Sequence, residues 1–215
     1  MATTDQINDL ITGYTDLKAF YEGERQELVN ARNNLPADIE VKFVVDEVNG
    51  LPGGDGSDEA PFNEIDKAIE AAHRGQIVGL SLRSDVTWRR WHPNRNLDLN
   101  IVGWDGPANQ LAQRKITFLD AAENNPDNSA GLAMSFGAMR FMKIALVLGT
   151  GSEPHFSAET WLWAAFRGCT IDGSQGGTAP LFSASPGGVG VGLNNTTYTG
   201  MAGRWLKNFA AGTAL

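Results

Sequence analysis

A seven-residue repeat near the N-terminus constrains this chain more than any other feature. One column of the repeat holds Ile7, Tyr14, Tyr21, Leu28 and Leu35, and the column three residues on holds Leu10, Leu17, Glu24 and Ala31. A helix with apolar residues in two such columns carries a narrow stripe, too narrow to wrap a globular core and suited to the same stripe on another helix. The remaining faces are polar, with Asp9, Asp16, Lys18, Glu22, Arg25, Gln26, Glu27, Asn30, Arg32 and Asn33. The pattern therefore predicts a coiled-coil stalk over residues 5–35, with other copies of the chain as partners. Two bulky tyrosines in one column favour three strands, hence a parallel homotrimer whose seam is Ile7, Leu10, Tyr14, Leu17, Tyr21, Leu28, Ala31 and Leu35. The alternative is an amphipathic helix packed on its own domain. Pro36, which lacks an amide hydrogen and disfavours helix at the residue before it, is expected to end the helix. Glu24, the polar seam residue, either fixes the register or marks where the stalk loosens.

Beyond Pro36 the period changes. Residues 40–46 read as a short strand, 50–58 as a glycine-rich turn region, and Ile65, Ala68, Ile69 and Ala72 as one face of a helix of about three turns, stopped near Arg74-Gly75. From Gln76 onward short apolar runs recur between Asp-Gly, Asn-Pro, Gly-Gly and Pro-Gly pairs, which predicts many short strands. The runs at 97–119 and 131–150 fit the coils of a parallel β-solenoid at least as well as a sandwich. Residues 139–146 are open to helix or strand. The expected architecture is mainly β: a stalk at 1–36, a connecting strand, turn and capping helix at 37–75, and a β-helical head at 76–215.

Charge divides along the same lines. The chain carries a net charge of −8; residues 1–72 hold 16 acids and 5 bases, residues 73–215 hold 9 acids and 12 bases. An acidic stalk and a weakly basic remainder argue against nucleic acid as the partner. No apolar run approaches the ~18 residues of a membrane-spanning helix, so membrane insertion is not expected. The polar, acidic start MATTDQINDL does not read as a Sec signal, and release from a cell by lysis is the expected route to the outside. The single Cys169 leaves no intrachain disulfide framework and no cysteine-based zinc site.

No Walker loop, His-Glu-x-x-His or Gly-x-Ser-x-Gly is present. His73, His92 and His155 are isolated in sequence and read as surface or turn residues. Asp46 and Glu47 are adjacent and would face opposite sides of a strand. Asp55, Asp58 and Glu59 read as turn and helix-capping residues, with a calcium site as the alternative. Asp98, Asp105, Asp120 and Asp172 are scattered. Catalytic residues, metal ligands and cofactors are thus expected to be none. Trp88-Arg89-Arg90-Trp91-His92-Pro93-Asn94-Arg95 concentrates indoles and guanidiniums. Such side chains bind anionic glycans or anchor subunit contacts, so Trp88, Arg89, Arg90, Trp91, His92 and Arg95 form a candidate glycan or subunit-interface patch. Trp161 and Trp163 share one side of a strand, more often core or interface than ligand platform. Residues 200–209, a small-residue turn with aromatic anchors, are a candidate closure for the distal end or an arm round a neighbour.

The segment from Gly54-Asp55-Gly56-Ser57-Asp58 through Pro61-Phe62 to Ala68-Ile69, with the strand Gln76-Ile77-Val78-Gly79-Leu80 after Gly75, resembles the opening of the β-helical heads of bacteriophage tail fibres and tailspikes. Asn96–Gly106 followed by Arg114-Lys115-Ile116-Thr117-Phe118 is similar to the next rungs of such heads. The resemblance spans residues 54–193. It implies a right-handed, pectate-lyase-like β-helix on a trimeric stalk, located on the virion at tail or capsid surface. It also implies that the stalk attaches to other virion proteins and that the head meets a host surface glycan during adsorption. Only five or six rungs fit, fewer than enzymatic tailspikes carry, which favours a structural fibre over a polysaccharide lyase or hydrolase. Capsid decoration is the third reading.

Overall fold

The computed structural model describes the backbone of residues 3–93, 95–175, 180–184, 187–201 and 205–208, and their side chains except at 4–5, 7–10, 27–38 and 206–208. The chain divides into two compact units, Met1–Ile39 and Glu40–Leu215.

The first unit is one helix, α1, Thr4–Ile39. At about 1.5 Å per residue its 36 residues span roughly 54 Å. The helix runs through Pro36, which corrects the expected stop. Pro36 lies in the last turn, where the missing amide forfeits a single bond and costs about 3 kcal/mol, without forbidding the turn. Among the described side chains Tyr14, Leu17 and Tyr21 are exposed, and so are Ile11 and Phe20. Ile7, Leu10, Leu28, Ala31 and Leu35 lie on the helix, but their side chains fall outside the described residues.

The second unit is mainly β. In chain order it comprises β1 (Glu40–Val45), α2 (Ile65–Ala71), β2 (Ile77–Leu82), β3 (Val86–Trp88), β4 (Trp91–His92), β5 (Asp98–Asp105), β6 (Gln110–Leu111), β7 (Arg114–Phe118), β8 (Gly131–Met142), β9 (Ile144–Val147), β10 (Phe156–Arg167), β11 (Thr170–Asp172), β12 (Phe182–Ala184), β13 (Gly188–Asn194), β14 (Thr197–Thr199) and β15 (Leu206–Asn208). Two parallel sheets result. The larger runs β1-β2-β5-β8-β10-β12-β15, with β13 also on β10 and β4 on β8; the smaller runs β3-β7-β9-β11-β14. From β2 to β14 the chain passes back and forth between the two sheets, entering the smaller at β3, β7, β9, β11 and β14 and returning to the larger between them, and both sheets grow in the same direction. The one antiparallel pair among the described strands is β5 with the short β6.

Register stacks like on like. Leu80, Ile101, Phe141, Phe166 and Leu193 align across β2, β5, β8, β10 and β13. Val86, Ile116, Leu146, Ile171 and Tyr198 align across the smaller sheet. The inner members are fully buried, and Phe141 stacks on Phe166 with ring centroids 5.0 Å apart. Leu193 and Tyr198, on the last strands, are exposed.

The expected three-turn helix is shorter, two turns, because the chain leaves helical geometry at Ala72 and turns at Gly75 with φ of 88°. Its periodic residues Ile65, Ala68 and Ile69 are buried as predicted. Residues 139–146 resolve as strand: Met139 and Phe141 point in, Arg140 points out, and Lys143, at φ 56°, bends the chain from β8 into β9.

Candidate functional site

The cationic segment at 88–95 does not form the single exposed patch that its composition suggests. Trp88 is buried and stacks on Phe118 with centroids 5.6 Å apart, so its indole is closed to ligand or neighbour. His92 is buried too, its Nε2 2.9 Å from Oδ1 of Asp66, which corrects the reading of His92 as a surface or turn residue. Asp66, buried on α2, also accepts the backbone amides of Arg89 and Arg90 at 3.0 Å each. Arg89 pairs with Glu47, Arg90 with Glu70 at 2.8 Å, and the Arg95 guanidinium donates to the Ala72 carbonyl. The segment is thus a clamp that fastens α2 and the loop after β1 to β3, β4 and the chain that follows them. Arg89, Arg90, Trp91 and Arg95 remain partly accessible, and Trp91 and Arg95 line a recess of about 380 Å³ with Glu70, Arg74 and Asn124.

His155 is a second correction. It is fully buried, accepts the Gly149 amide at Nε2 (3.1 Å), donates from Nδ1 to the Ala130 carbonyl (2.9 Å), and stacks on Phe118 at 4.3 Å. These two bonds fix one tautomer and give the ring a packing role. His73 is exposed.

The carboxylates serve the backbone. Burial acts to raise the Asp46 carboxyl, but bonds from the Asn49 amide and side chain, the Val48 amide and the Ser84 hydroxyl outweigh it and hold it below its ordinary value. Glu47 instead takes Arg89 and the Thr87 amide, so the two adjacent acids do have separate surroundings. The Ser57 amide and hydroxyl lower Asp55, and Asp58 pairs with Arg83 at 2.6 Å. Asp98 accepts the Ala138 amide, Asp105 that of Ala108, Asp172 that of Ser174, and Asp120 both polar groups of Thr150. Among the described residues no group of three His, Cys, Asp or Glu is placed to hold a metal ion, and no helix is long and apolar enough to cross a membrane. Cys169 is buried beside the Phe141 carbonyl, and burial pushes its thiol up, away from the reactive thiolate. Within residues 200–209, positions 202–204 and 209 lie outside the described residues.

The most ligand-like surface is the outer face of the larger sheet. Trp161 and Trp163 are 56% and 47% exposed, and Phe136, paired with Trp161 across β8 and β10, is 63% exposed. Across the next strand pair, Trp161 faces Gly188 and Trp163 faces Gly190. A Cβ at Gly188 or Gly190 would strike the indole opposite, so these glycines keep the rings flat against the sheet. Trp161 and Trp163 alternate with the buried Leu162 and Ala164 and so face outward, and one extra residue in β10 between Ala158 and Trp161 keeps them in step with β8, whose buried set shifts from Leu132 and Met134 to Met139 and Phe141. Past the shelf, along the same strands, opens a groove of about 580 Å³ whose walls include Asn100, Arg140, Met142, Arg167, Gly192 and Asn194. A smaller recess, with Lys143 and Asn195, shares Met142, Arg167 and Asn194 with it. Arg140 donates to Asn100 Oδ1 at 3.1 Å. Among the described residues Arg140, Lys143 and Arg167 make no ion pair with a carboxylate.

No protein-family model matches the chain, and no curated protein or solved structure matches it either.

Proposed function

We propose that this chain is a structural fibre or spike protein of a bacteriophage virion that acts as a homotrimer in host adsorption. The observation that carries the reading is the pairing of two features in one chain: a 36-residue helix with exposed apolar residues, followed by two parallel sheets between which the chain passes repeatedly. In this reading the two sheets are walls of a short β-helix, right-handed by the general rule for parallel crossovers. The helix α1 joins two others along the Tyr14, Leu17 and Tyr21 stripe, which water otherwise bathes at a cost in apolar surface. Helix α2 covers the first rung, with Ile65, Ala68 and Ile69 shielding apolar residues that β1 and β2 would otherwise leave open. The stalk attaches to other virion proteins and the head is presented outward.

The acids in and around the sheets are engaged in turns and clamps, which favours a binding head over a polysaccharide lyase or hydrolase. Decoration of the capsid remains the second structural reading. Gold-labelled antibody against the chain tests the assignment on particles in electron micrographs: label at the tail supports the adsorption fibre, label over the head moves it to decoration, and unlabelled particles contradict both.

A further inference from the structure

From the outer face of the larger sheet we infer that this chain binds an anionic polysaccharide, with indoles stacking on sugar rings and the arginines of the adjoining groove taking the acidic groups. The inference rests on the adsorption reading and names the ligand class that the head would meet.

Three observations combine. First, the shelf is built for flat rings. Trp161 and Trp163 lie two residues apart on one strand, roughly 7 Å, on a floor that Gly188 and Gly190 keep free of side chains. Indole faces offer a broad apolar surface to the C–H face of a pyranose while the hydroxyls stay in water. Second, the groove continues from the shelf along the same strands, so one linear polymer reaches both. Third, the charged side chains that line the otherwise largely apolar groove, Arg140 and Arg167, are both cations, on a chain of net charge −8. Arg140 and Arg167 stand on adjacent strands two positions apart, roughly 8 Å between their Cα atoms, with Lys143 just beyond. Asn100, Asn194 and Asn195 add amides that can donate to hydroxyls or carboxylates. Guanidiniums grip carboxylates and sulfates through paired N–H donors.

A second copy of the chain fits the same face less well. A two-fold contact through it would set these cations against one another, and like charges across an interface are costly. A neutral glycan would use the shelf and leave the groove without purpose.

The test uses the full chain in affinity electrophoresis through gels containing polygalacturonate or, as the neutral control, dextran. Wild type is expected to be retarded by polygalacturonate and not by dextran. Arg140→Gln with Arg167→Gln is expected to weaken retention about tenfold or more, since both charge-assisted contacts to the acidic groups are lost. Trp161→Ala and Trp163→Ala, which alter outward-facing side chains, are expected to weaken it as well without changing the sedimentation coefficient. Absence of retardation overturns the inference, as does dextran binding equal to polygalacturonate binding. Loss in the arginine variant with none in the tryptophan variants leaves only an anion patch and also overturns it. A smaller assembly in either tryptophan variant assigns the face to a second copy. Retention is read on the purified protein, so a trimer that labels virions yet ignores polygalacturonate defeats this inference alone.

Discussion

Single residues at the clamp set how firmly α2 is held to the sheets. Asp66 is buried and receives the Arg89 amide, the Arg90 amide and the His92 ring. Removing the carboxylate leaves the buried His92 ring and two half-buried amides without their acceptor, so Asp66→Ala is expected to cost about 2–4 kcal/mol in urea unfolding. A loss under about 1 kcal/mol would show that α2 is held by its apolar face alone. Asp46 gives a pH signature. Its folded pKa lies below its ordinary value of 3.8, so folding favours the charged form. That stabilisation is present above pH 3.8 and is lost as pH falls through the folded pKa. Asp46→Asn is therefore expected to be less stable than wild type at neutral pH, with the gap in melting temperature closing toward about pH 2. A gap independent of pH would contradict the assignment. Neither residue announced itself. Twenty-six positions separate Asp66 from His92, and nothing local marks a carboxylate on a helix as a receiver of three distant donors. The density of charge and indole in 88–95 was legible, but its direction was not: three of its cations meet acids or carbonyls of α2 and the preceding loop.

At the level of elements, local period accounts for what was readable. Ile65, Ala68 and Ile69 recur at helical spacing and are buried on α2. The apolar runs at 77–82, 97–102 and 115–119 became β2, β5 and β7 because each is short and bounded by turn residues. Residues 139–146 were ambiguous because Met, Phe and Leu suit both states; the alternation of Met139, Arg140 and Phe141 is decided by stacking on Leu99, Asn100 and Ile101. That Trp161 and Trp163 share a side was legible from their spacing, but that this side is the outer one was not, since Leu162 and Ala164, which alternate with them, suit the core no better than indoles do. Gly188 and Gly190 carry a trace of it, since both must remain bare beneath the indoles. Gly190→Val is expected to lift the Trp163 ring into water and shift tryptophan emission to the red, with stability changed by less than about 1 kcal/mol because the ring faces outward. Gly192→Ala, whose added carbon would sit 3.8 Å from the same ring, is expected to leave emission unchanged. Equal spectra for the two variants would mean that the indoles do not lie on the glycine floor.

For the whole molecule, the two units answer different questions. The described residues of 40–215 bury a core of their own, to which α2 contributes Ile65, Ala68 and Ile69. Among the described residues of 1–39 there is no such core: the described apolar side chains of α1 face water. Most isolated helices owe their stability to packing of an apolar face, and a helix of this length therefore calls for partners. The seven-residue repeat made that need readable from the sequence, while the continuation of α1 through Pro36 was hidden, because a single forfeited bond is a small loss in a helix of 36 residues. Sedimentation equilibrium of the full chain at micromolar concentration measures the partners directly. The account predicts a mass of three times 23.1 kDa, falling to the monomer in Leu17→Asp, which sets a charge in the stripe. A wild-type mass of 23.1 kDa at that concentration would contradict it.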